Sequence, residues 1–111
     1  MLSKELSTKS NWVVENKMAI ITVRFYSLWR QYLGIDSTAL EANNIEDALA
    51  KIEDEFGARL REQLKIDGIQ ADGKLQDYSL ILLNGTSLRN LQQKDLKDGD
   101  VLQIFPPASG G

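Results

Sequence analysis

The chain contains no cysteine and no histidine. Disulfides, thiol nucleophiles, Cys/His zinc sites and imidazole acid–base chemistry are therefore excluded within it, and no metal site is expected. It has only two prolines, adjacent at Pro106 and Pro107, so no proline interrupts helices or strands before that point. No apolar run approaches the ~20 residues of a membrane-spanning helix, and the N-terminal segment, with Lys4, Glu5 and Lys9 among serines, lacks a secretory apolar core. Positive charge is also short: 13 Lys and Arg stand against 16 Asp and Glu, a net charge of −3. That balance argues against nucleic acid and anionic membrane surfaces and favours basic protein partners. The expected location is the cytoplasm. The acidic cluster Glu53, Asp54 and Glu55 remains, but with basic residues nearby it reads as a solvated helix face rather than as a catalytic pair.

A chain of 111 residues, 42% of them hydrophobic, suits one small domain with a modest core. Ile20 to Tyr26 is β-branched or aromatic, with Thr22 and Arg24 alternating against Ile21, Val23 and Phe25, and predicts a half-buried strand. Ser27 to Gly34 predicts a turn or short helical loop, and about Ile35 to Ala42 a second strand paired with the first. Asn43 and Asn44 cap a helix whose apolar stripe is Ile45, Ala48, Leu49, Ile52 and Phe56, with Gly57 as its C-terminal stop. Ala58 to Lys65 adds a short helical turn, and Asp67 to Lys74 is expected to be a mobile loop. Tyr78 to Leu83 reads as a third strand closed by the tight turn Asn84–Gly85, and Val101 to Phe105 as the last strand after the turn Lys97 to Asp100.

The order ββαββ requires the helix to lay its stripe on one sheet face, an α+β half-open roll in which a right-handed crossover sets the first and last strands side by side and parallel. This is the β-grasp, or ubiquitin-like, arrangement. Three regions follow: residues 1–17 as an N-terminal extension expected to be disordered, 18–105 as the domain, and 106–111 as a tail. Strand alternation turns Ile21, Val23, Phe25, Leu102 and Ile104 inward and Thr22, Arg24, Tyr26, Gln103 and Phe105 outward. Tyr26 and Phe105 are then expected to form an apolar docking patch on the outer face, with Leu88 as a third contact.

The tail is Pro106, Pro107, Ala108, Ser109, Gly110 and Gly111. The prolines end the strand and stiffen the chain, and six extended residues project roughly 20 Å. Glycines without Cβ atoms can enter a channel closed to other residues, which makes the terminal carboxylate the presented group. A frayed end or linker has the same composition.

The opening strand Ile21-Thr22-Val23-Arg24-Phe25-Tyr26, Arg30, Gly34, Asn84-Gly85, the acidic turn Leu96 to Asp100 and the ending Phe-Pro-Pro-x-x-Gly-Gly together resemble the ubiquitin-like sulfur carriers, above all the MoaD family of molybdopterin synthase small subunits. The likeness runs from Ile20 to Gly111; the leader before Met18 and the extra length between Gly57 and Tyr78 depart from it. The resemblance implies a chain that is not catalytic alone. An E1-like, MoeB-like adenylating enzyme would use ATP to join AMP to the Gly111 carboxylate. A sulfurtransferase or another sulfur donor would then displace AMP to leave a thiocarboxylate. The tail, with Gly110 supplying its freedom, would next enter a MoaE-like large subunit, where the sulfur passes to a pterin precursor of the molybdenum (or tungsten) cofactor. Tyr26, Leu88, Phe105 and Pro106 to Ser109 would bind the partner. No cofactor would be bound permanently. Two other outcomes share the same tail: a protein modifier conjugated through Gly111, and a sulfur carrier of the thiamin pathway, the second disfavoured by Pro106–Pro107.

Overall fold

The structure, a computed structural model, describes residues 18–92 and 94–107. Strand β1 (Ala19–Phe25) buries Ala19, Ile21, Val23 and Phe25 in strict alternation, as its β-branched pattern requires. Ser27–Leu33 closes into a complete helix, α1, ended by Gly34 at φ 75°, a left-handed cap that glycine adopts without strain. Strand β2 (Ser37–Ala42) pairs antiparallel with β1.

Helix α2 (Ile45–Ile52) starts where predicted. The Asn44 side chain accepts from the Asp47 amide at 2.8 Å, and the Asp47 carboxylate accepts from the Asn43 amide at 2.9 Å. Two otherwise unpaired amides are satisfied in this way. The second bond is the main reason that the Asp47 carboxyl titrates below its ordinary value, with Lys51 assisting against partial burial. Gly57 does not stop the helix. A π-helical turn, Glu53–Gly57, leads directly into helix α3 (Ala58–Ile66), and Gly57 keeps helical angles, φ −59° and ψ −48°. Its role is spatial: a Cβ there would collide with the Glu53 carboxylate. That carboxylate accepts from the Leu75 amide at 2.7 Å and pairs with Arg61 at 2.7 Å, fastening the 3₁₀ turn Leu75–Tyr78 to the helices.

Strands β3 (Leu80–Leu83), β4 (Thr86–Ser87) and β5 (Val101–Phe105) complete a five-stranded sheet in the order β2-β1-β5-β3-β4. The short β4, absent from the predicted order, exists because Asn84 and Gly85 take positive φ values of 51° and 88° and fold the chain back on β3. The first and last strands are parallel neighbours, with Val23 beside Leu102 and Phe25 beside Ile104. Side chains hold that non-local pairing at its start: Asp98 accepts from the Ile20 amide at 2.8 Å, and Asn84 accepts from the Val101 amide at 2.9 Å. Helices α1 to α3 cover one sheet face only. The core between them joins Val23, Leu102, Ile104, Leu60, Trp29 and the edge-to-face pair Phe25–Phe56, centroids 5.0 Å apart. The topology is the β-grasp, ubiquitin-like arrangement. No helix among the described residues is long and apolar enough to cross a membrane.

Candidate interaction face and tail root

The ladder between β1 and β5 runs one step past β1, where the Tyr26 amide donates to the Ile104 carbonyl at 3.1 Å. Tyr26 therefore stands beside Phe105 on the face opposite the helices. Their rings stack with centroids 4.3 Å apart and planes 14° from parallel, a favourable offset geometry for aromatic pairs. The Arg24 guanidinium carbon lies 5.9 Å from the Tyr26 centroid, and the Gln103 amide donates to the Tyr26 hydroxyl at 3.4 Å. Across β5, Leu80 is the registered neighbour of Phe105 and is 51% exposed. Leu80, Phe105 and Tyr26 thus form one apolar row over three strands, at the end where the chain leaves the sheet. Ile20, 53% exposed, lies on the same face at the other end of β1.

Pro106 is half-buried and Pro107 exposed, so the tail departs from the edge of this row. Ala108, Ser109, Gly110 and Gly111 lie outside the described residues. Leu88, expected as a third contact, is half-buried against the core cluster from the 3₁₀ turn Leu88–Asn90.

Asp67 to Lys74, expected to be mobile, is fastened to the helical side. The Ile69 amide donates to the Leu64 carbonyl at 2.8 Å, Arg61 donates to the Gly73 carbonyl at 3.1 Å, and Tyr32 donates to the Asp67 carboxylate. That bond to Asp67, reinforced by desolvation and the aspartate charge, pushes the Tyr32 hydroxyl up to about 12. The segment consequently does not cover Tyr26 and Phe105, both of which are half-buried. It instead encloses a feature the sequence did not disclose, a mostly apolar cavity at the tail root lined by Leu28, Trp29, Leu64, Ala71, Tyr78 and Pro107. Its walls come from separate stretches of chain, so no periodicity announced it.

A β-grasp sheet with helices on one face and the Tyr26–Phe105 pair on the other is the architecture of ubiquitin-like proteins. The ThiS family matches residues 29–111, and the chain belongs to it, within the ThiS/MoaD ubiquitin-like sulfur carriers. Among curated proteins compared by sequence, none matches. The small archaeal modifier protein 1 of Methanosarcina acetivorans is similar, at 26% identity and TM-score 0.59 over 85% of this chain and 98% of that one. Subunit 1 and 2 of the molybdopterin-converting factor from Helicobacter pylori, solved as a protein–protein complex, includes a chain with 28% identity and TM-score 0.53, covering 83% of this chain and 99% of that one.

Proposed function

We propose that this protein is the sulfur-carrying small subunit of a molybdopterin synthase, acting in the cytoplasm. The observation that carries the reading is the position of β5: the central strand ends in the aromatic pair and passes straight into Pro106–Pro107, so one docking event sets both grip and reactive end. A carboxylate is a poor acyl donor because its negative charge is delocalised and its leaving group would be oxide. In the proposed cycle an adenylating enzyme transfers AMP from ATP to the Gly111 carboxylate, releasing pyrophosphate. Sulfide released by the donor attacks the acyl carbon, the bond to AMP breaks, and the thiocarboxylate and free AMP remain. The open face and tail then engage a MoaE-like large subunit, in keeping with the two-subunit complex solved for the Helicobacter pylori protein. A nucleophile borne by the main-chain terminus needs no cysteine or histidine in the chain.

Intact mass spectrometry after incubation with ATP, the adenylating enzyme encoded in the same genome and a sulfide donor tests this. The expected product is heavier by the difference between sulfur and oxygen, and deletion of Gly111 abolishes the gain. An unchanged wild-type mass refutes the proposal. The likeness to an archaeal modifier protein favours one second reading, conjugation through Gly111 to lysines of other proteins. That reading predicts covalent ladders carrying the chain in its native cells, whereas the carrier reading predicts a large subunit held without covalent linkage.

A further inference from the structure

The turn between β3 and β4 joins two residues that are chemically unstable in sequence. Of the chain's asparagines only Asn84 precedes a glycine, and without a Cβ on Gly85 nothing screens the Asn84 carboxamide carbon from the next backbone nitrogen. Hydroxide removes the Gly85 amide proton and the nitrogen attacks Asn84 Cγ. The Cγ–Nδ2 bond then breaks, Nδ2 takes a proton from water, and ammonia leaves behind a cyclic succinimide. Addition of water to either ring carbonyl opens it to aspartate or isoaspartate, with no change of oxidation state. The hairpin cannot avoid this pair, because both residues hold positive φ, 51° and 88°, the combination that a two-residue turn selects. Both are exposed, so exclusion of water does not protect them.

We propose that Asn84 is a deamidation site that Gln103 keeps closed, with Asp100 and Val101 holding the other reacting group. The Gly85 amide donates to Gln103 Oε1 at 2.7 Å, so the attacking nitrogen keeps its proton. Gln103 is itself oriented from its other end, where Nε2 donates to the Tyr26 hydroxyl at 3.4 Å. The Asn84 carboxamide is held at both of its atoms: Oδ1 accepts from the Val101 amide at 2.9 Å, and Nδ2 donates to Asp100 Oδ1 at 3.0 Å. The second Asp100 oxygen accepts from the Lys97 amide at 2.8 Å, which fixes that carboxylate. Turning Cγ toward Gly85 therefore breaks the bonds to Val101 and Asp100, and freeing the nitrogen breaks the bond to Gln103, so the reaction needs a local opening. The product harms the strand that carries the tail. A carboxylate on Asn84 sets like charge against Asp100 at the start of β5, and isoaspartate lengthens the main chain inside the turn that sets the β3–β4 register.

Mass spectrometry of the full chain, incubated at mildly alkaline pH below its melting transition, tests the proposal. Deamidation exchanges an amide NH2 for OH, whereas isomerisation at Asp67–Gly68, Asp72–Gly73 or Asp98–Gly99 leaves the mass unchanged. Peptide mapping then follows the change at Asn84. The folded wild-type chain is expected to deamidate there at least fivefold more slowly than the same chain unfolded in urea. Gln103→Leu keeps the bulk and removes the acceptor, and is expected to raise the folded rate at least fivefold. Gln103→Glu keeps an oxygen that accepts from the Gly85 amide and is expected to stay close to the wild-type rate. Equal rates for the folded and unfolded wild-type chain overturn the proposal, as does a Gln103→Leu rate no faster than wild type. Equally fast rates for the Leu and Glu variants also overturn it, because a loosened strand rather than a lost acceptor would then be the cause. Should Gln103→Leu fail to fold, hydrogen exchange of the Gly85 amide in the wild-type chain decides: slow exchange is expected, and exchange as fast as in an unfolded peptide overturns the proposal.

Discussion

The two faces of the sheet are made from the same strands and have opposite uses. On the helical side Val23, Leu102 and Ile104 are fully buried, and several polar groups there are tied, Glu53 to Leu75 and Arg61, Tyr32 to Asp67. On the other side, one residue along each strand, Ile20 and Leu80 are about half exposed and Tyr26 stacks on Phe105, both half-buried, with no helix of the described residues packed over them. An apolar row that a monomer leaves wet contributes little to folding and is available for contact. One face therefore carries stability, and the other is the face proposed for recognition.

The comparison can be broken by substitution. Leu102→Ala, on the sealed face, is expected to cost about 2–5 kcal/mol of folding stability, because a cavity opens where the lattice of side chains is closed; chemical denaturation measures it. Phe105→Ala, three residues on and facing outward, is expected to weaken partner binding by about 1–3 kcal/mol while shifting the denaturation midpoint far less than Leu102→Ala does. Equal losses of stability for the two would erase the distinction between the faces. Glu53→Ala probes the polar ties of the sealed side: it strands the Leu75 amide and Arg61, at a cost of about 1–3 kcal/mol, and amide hydrogen exchange of Leu75 to Tyr78 should accelerate.

The smallest effect is at Tyr32. Its hydroxyl, raised from an ordinary 10.0 to about 12, keeps its proton more tightly when folded. That contribution is complete below pH 10 and is lost as pH rises from 10 to about 12. Tyr32→Phe should therefore lose less stability than the wild-type chain across that window in thermal melts. An identical alkaline slope in both proteins would mean that the Asp67 tie is not formed in solution.

Much of this was legible in the residues. Period-two alternation in Ile20–Tyr26 and Val101–Phe105 assigned both faces correctly, down to Tyr26 and Phe105, because side-chain direction in a strand is strictly local. The cap at Asn44 was equally local, a side chain bonded to an amide three residues away. Gly57 misled for an instructive reason. Glycine after an apolar stripe ordinarily marks a helix end, yet here it makes room for Glu53, whose partners lie 22 residues on at Leu75 and at Arg61. The loop from Asp67 misled likewise, since its polar, glycine-containing composition says nothing of the Leu64, Arg61 and Tyr32 groups that fasten it.

The amino-acid sequence by itself determined the elements, their inward and outward residues and the Pro-Pro…Gly-Gly ending, because these follow from neighbours one to four positions apart. The tertiary structure alone decided three things: the π-helical turn, the cavity beside Pro107, and the anchoring of the Asp67–Lys74 loop on the helical side. Each depends on which distant segments meet. Such meetings are set by the closing of the whole sheet around β5, where the free energy of burial outweighs what any local preference records.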